Sequence, residues 1–161
     1  MNTLIKFSLV FMLVFVSCGT SKTVIQSKKV MKGNWELNSV THDQAGTYTI
    51  KLLQDASEAC FEGSTWRFIP NNNSGLYTIN DNSCVTGDRN FIFTIQEINK
   101  ESGLYDFLLK PTSKLGKADK DQTRGYRFSL THLDVGVMQW QQTVNVEGTP
   151  VTISLNFNKV E

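Results

Sequence analysis

The sequence has little of what catalysis needs. Among 161 residues there are two histidines, three prolines and three cysteines. His42 falls in a long loop and His132 in a tight turn, so they are not expected to meet. No G-x-S-x-G, phosphate-binding glycine loop or H-E-x-x-H pattern is present. An enzyme is not expected, nor a cofactor. Charge of one sign is lacking too. The formal net charge is +1, and Lys6 is the one charge among residues 1–17. Without that segment bases and acids balance. This excludes a nucleic-acid reader that works by bulk charge, and an acidic disordered tail. There is also no apolar run of the roughly 20 residues a helix needs to cross a bilayer.

The longest apolar run is 7–16 (FSLVFMLVFV), preceded by Lys6 and followed by Ser17 and Cys18. Positive start, short apolar stretch and small residue form the layout of a secretory signal. Val16-Ser17-Cys18 resembles the lipobox of bacterial lipoproteins, with Phe15 where that family usually has Leu. The resemblance implies cleavage before Cys18 and acylation of its thiol. Residues 1–17 would then be a signal peptide, and 18–32 an acylated cysteine with a flexible tether. Residues 19–32 carry four lysines and no acid, and as a coil would span roughly 20 Å. Stable anchoring takes two or more acyl chains. No acid closely follows Cys18, so the expected site is the periplasmic face of the outer membrane.

From residue 33 the pattern changes to period-two alternation broken by turn residues. Eight strands are expected, at 33–41, 64–70, 75–80, 89–98, 104–110, 124–131, 136–144 and 150–158. The one helical candidate is 54–61 (QDASEACF), where Asp55 and Glu58 suggest a capping box. The connections 71–74, 99–103 and 132–135 are short; 42–63, 81–88 and 111–123 are longer. In an up-and-down order all the tight turns then fall at one end. The long loops, with 145–149, fall at the other. This is the pattern of a closed antiparallel barrel over 33–161; a two-sheet sandwich is the competing arrangement. Cys60 and Cys84 both fall at the loop end. In an exported domain they suggest one disulfide, worth roughly 3 kcal/mol for a loop of about 25 residues. Two buried free thiols are the alternative; a metal site lacks ligand spacing.

Gly33-Asn34-Trp35, followed by Leu37, resembles the lipocalin signature G-x-W. The order of CFEGSTWRF (60–68), NNNSGLYTI (71–79), RNFIFTI (89–95), YDFLLKP (105–111) and MQWQQTV (138–144) is similar to small lipocalin-like bacterial lipoproteins. The resemblance covers 33–158. It implies a lipocalin-like all-β barrel of eight antiparallel up-and-down strands. Trp35 would close its bottom, and the long first loop would lid its mouth. Lipocalins also place an Arg late in the chain over that Trp. Here the only base near the end is Lys159, with Arg124 and Arg127 as substitutes.

Ten Phe, four Tyr and three Trp make the expected core aromatic. The inward set is Trp35, Leu37, Trp66, Phe68, Phe91, Phe93, Tyr105, Phe107, Tyr126, Phe128, Ile153 and Leu155. Eight strands enclose a space that side chains fill or that holds one small ligand. The ligand-binding candidates are Trp66, Phe68, Phe91, Phe93, Tyr105, Phe107, Tyr126, Phe128 and Trp140. Gln139, Gln141 and Gln142 flank Trp140 and are expected on the solvated outer face. Lys114, Lys117 and Lys120 form a solvated loop that can also attract an acidic head group. Asp81, Asn82 and Asp88 lack the spacing of a calcium loop. The expected function is a membrane-anchored lipocalin-like lipoprotein that binds a small hydrophobic or amphipathic ligand in the cell envelope. The alternative is a filled barrel acting in protein interaction or envelope assembly.

Overall fold

The computed structural model describes residues 22–99, 102, 104–121 and 123–161. The expected signal peptide, 1–17, and Cys18 lie outside the described residues. The eight expected strands are present, with ends shifted by a few residues. They are β1 Gly33–His42, β4 Thr65–Ile69, β5 Ser74–Ile79, β6 Gly87–Ile98, β7 Tyr105–Thr112, β8 Tyr126–Leu133, β9 Val137–Val146 and β10 Thr149–Val160. They close into a barrel in the order β1-β10-β9-β8-β7-β6-β5-β4. Every neighbouring pair is antiparallel. The sandwich is thereby excluded. β1 is the closing strand: Trp35 lies opposite Trp66 on β4 and Lys159 on β10.

Alternation sets the inner face. Along β10, Val151, Ile153, Leu155 and Phe157 are buried while Thr152, Ser154 and Asn156 are only half-buried. Gly75 keeps β5 clear of the core, because a Cβ there would lie 2.4 Å from Phe91 Cζ and 2.5 Å from the Arg67 carbonyl. The β9–β10 turn has Glu147 and Gly148 at φ of 52° and 88°, as a tight two-residue hairpin requires.

The short turns gather at one end, the closed end, with the start of β1. There the expected flexible tether is instead partly helical: α1 spans Lys22–Met31. Its last residue, Met31, is buried, and its carbonyl accepts from Trp35 Nε1 at 2.8 Å. Apolar burial of Met31 and this bond draw the segment against the barrel, which a polar-composition argument does not foresee. Lys159 Nζ stands 5.1 Å from the centre of the Trp35 ring and donates to the Val30 carbonyl at 2.9 Å. Lys159 thus takes the place over the tryptophan, and not Arg124 or Arg127.

The long connections gather at the other end, the mouth. Residues 43–64 fold over it as a lid. A two-stranded ribbon, β2 Lys51–Leu52 with β3 Ala56–Ser57, leads into a one-turn helix α2, Glu58–Phe61. Leu52, Leu53 and Phe61 are buried beneath it. The expected capping box does not form. Ser57 is the N-cap and makes no side-chain cap; Asp55 and Glu58 are turned to other partners.

Candidate functional site

The barrel interior is an aromatic column. Trp66 stacks on Tyr77 with ring centres 4.6 Å apart, and its edge meets Trp140 at 5.4 Å. Trp140 is the hub: Phe107 and Phe157 lie 4.7 Å from it and Phe128 lies 5.4 Å away. Phe68 contacts Phe91, Phe93 and Trp140. Offset and edge-on pairs of this kind each add about 0.5–1.5 kcal/mol beyond area burial. Of the nine ligand-binding candidates, Trp66, Phe68, Phe91, Phe93, Tyr105, Phe107, Phe128 and Trp140 are buried. Tyr126 is half-buried at the mouth end of β8. The eight form part of one packed cluster, with Tyr126 against it, rather than the wall of an open cup.

Sequence reasoning left Tyr77, Phe61 and Met138 out of the inward set. Tyr77 and Ile79 share a parity in β5, which was the available signal. Phe61 reaches the core only because the lid folds inward, and no strand periodicity reports that.

The lid is held by polar contacts around its rim. The Cys60–Cys84 disulfide is present and ties α2 to the β5–β6 connection. Asp55 Oδ2 accepts from the Tyr77 hydroxyl at 3.0 Å and from Arg89 Nε at 2.9 Å. Burial, then the nearby Asp55 carboxylate, push the Tyr77 hydroxyl far above its ordinary range. Glu58 pairs with His42 at 3.0 Å. Glu62 accepts from the Val40 amide at 2.8 Å, and Arg124 donates to Gln54. His42 and His132 stand at opposite ends of the barrel.

The glutamines take the expected outer face of β9 only in part. Gln139 donates to Asn156 at 2.8 Å and accepts from Thr131 at 2.8 Å, and Gln141 donates to Ser154 at 3.1 Å. Gln142 shares the inner parity near the mouth, opposite Ile153, and is half-buried. The lysine loop is stapled by Asp119, which accepts from the Ser113 amide at 2.7 Å and its hydroxyl at 2.8 Å.

Among the described residues, two buried side-chain polar atoms have no hydrogen-bond partner: the Tyr105 hydroxyl and Trp140 Nε1. Both sit on inward-facing residues; the indole can only donate, whereas the hydroxyl can donate and accept. Trp35 and Trp66, by contrast, have their indole donors satisfied, the second by Ser64 Oγ at 2.9 Å. Burial alone pushes the Tyr105 hydroxyl far above its ordinary range. Among the described residues no cluster of three or more His, Cys, Asp or Glu is placed to hold a metal.

No protein-family model matches the chain, and no curated protein matches it. Among solved structures, a lipocalin-like protein from Bacteroides uniformis ATCC 8492 is similar, with 9% identity and a TM-score of 0.49. The match covers 81% of this chain and 99% of that one. The closed eight-stranded antiparallel barrel stands on the strand pairing of this chain itself.

Proposed function

We propose that the protein is a non-catalytic, membrane-anchored barrel of the cell envelope that binds a small hydrophobic or amphipathic molecule. The observation behind it is the pair of unpartnered donors, Tyr105 Oη and Trp140 Nε1, in an otherwise apolar interior. An unsatisfied buried polar group costs about 1–3 kcal/mol. A ligand acceptor placed there would remove that cost. Acylation of Cys18 would hold the barrel at a membrane, where such molecules concentrate, on the periplasmic side of the outer membrane. The test is extraction of the full chain from membranes in mild detergent, then solvent extraction and mass spectrometry of the extract. The expected result is one class of small hydrophobic molecule near one per chain, and a protein mass carrying acyl chains on Cys18. An extract no richer than that of an unrelated lipoprotein contradicts the binding role. A second reading, a filled barrel in protein interaction or envelope assembly, is favoured by the ring packing along the axis.

A further inference from the structure

Three irregularities of the barrel wall coincide near the closed end. The β7–β8 ladder runs from Leu109↔Tyr126 to Asp106↔Ser129. Where it ends, Leu104 and Tyr105 on one side and Leu130 and Thr131 on the other line a groove of about 460 Å³. β8 and β9 shift register between Leu130 and His132, so Thr131 is an extra residue there. β6 and β7 shift register between Ile95 and Ile98, opposite the same stretch of β7. Bulges recur beside binding sites because they re-aim side chains and interrupt pairing.

One of the two unpartnered groups, the Tyr105 hydroxyl, belongs to a residue that lines this groove. Leu130 pairs with Trp140. One residue beyond Asp106↔Ser129, the same register sets Tyr105 beside Leu130. Tyr105, Leu130 and Trp140 therefore form one rung, of which Tyr105 and Leu130 line the groove and Trp140 lies behind them in the core. Tyr105 is 3% exposed and Trp140 0%. The mouth, at the other end, is covered by the disulfide-tied lid.

We infer that the β7–β8 seam is a lateral binding site for a small apolar molecule bearing a neutral carbonyl, which accepts from Tyr105 Oη. This deepens the binding role proposed above and rests on it. The Tyr105 hydroxyl is buried without a partner, and a phenol donates a hydrogen bond more readily than it accepts one, which favours a carbonyl. Asp106 on the groove's outer edge, 3.5 Å from Arg127, opposes an anionic head. Leu104 and Leu130 supply the apolar part of the wall, and Asn99, Ser102 and Thr131 its polar edges.

The test uses the full chain with two probes of matched shape, cyclohexanone and methylenecyclohexane, both kept below the low aqueous solubility of the hydrocarbon and followed through the tryptophan indole NMR signals. The ketone should bind about fivefold more tightly than the hydrocarbon, the worth of one net hydrogen bond. It should shift the indole proton of Trp140, the tryptophan paired with Leu130, and leave those of Trp35 and Trp66 in place. Tyr105→Phe should reduce the ketone preference several-fold, and Thr131→Trp should block both probes by filling the groove. Equal binding of both probes, untouched by these two variants, overturns the seam site while leaving a binding role intact. Absence of any shift with either probe, alongside a ligand-free solvent extract, overturns both.

Discussion

Tyr105→Phe is the sharpest perturbation, because it should stabilise the protein rather than weaken it. The side chain is 3% exposed, and its hydroxyl has no hydrogen-bond partner. A buried unpaired hydroxyl costs about 1–3 kcal/mol. Phenylalanine keeps the ring and removes only the oxygen, so almost no cavity follows. The lower bound, about 1 kcal/mol of gain, is the safer expectation. For a domain of this size an unfolding entropy near 0.3 kcal/mol/K turns that into a rise in Tm of about 3–4 °C. The assay is calorimetry of delipidated wild type and variant at neutral pH, with urea unfolding as a check. The two m-values should agree. A loss of 1 kcal/mol or more would refute the reasoning, because it would mean that the hydroxyl has a partner. The gain in stability should come with the loss of ketone preference, the usual opposition between a tuned site and a stable one.

Other perturbations probe the scaffold. Replacing Cys60 and Cys84 together by alanine should cost about 3 kcal/mol on the loop-entropy account, read as a lower urea midpoint with the far-UV spectrum kept. Gly75→Ala should cost about 1–3 kcal/mol by overpacking, since its Cβ meets both Phe91 and a backbone oxygen; thermal unfolding reports it. Tyr77 and Tyr105 have hydroxyls raised by burial. They should stay protonated where tyrosine ordinarily titrates, near pH 10. The folded state then holds protons that the unfolded state releases, so stability falls as pH rises above about 10. Absorbance at 295 nm should show fewer tyrosines titrating near pH 10 in the folded protein than in urea, with Tyr77 and Tyr105 among those withheld.

The barrel was legible because strands report themselves. Period two placed Phe91 with Phe93, and Tyr105 with Phe107, on one face, and all four are buried. Loop lengths assigned the two ends, and the Cys60–Cys84 bond confirms the parity between them. What escaped has a common cause: it depends on contacts distant in sequence. Met31 lies in a polar stretch and is buried only because Trp35 and the barrel floor receive it. Asp55 and Glu58 looked like a local cap, yet Tyr77, Arg89 and His42 give them stronger partners. The seam is invisible in the sequence for the same reason. Composition names Tyr105 and Trp140 as candidates, but only the pairing of Leu130 sets them on one rung.

The most direct test of the binding role is native mass spectrometry of the full chain extracted from membranes, run before and after denaturing delipidation. One discrete extra mass per chain is expected, lost on delipidation and less occupied in Tyr105→Phe. A bare protein mass in both runs would contradict it and turn attention to the filled barrel as a protein-interaction module.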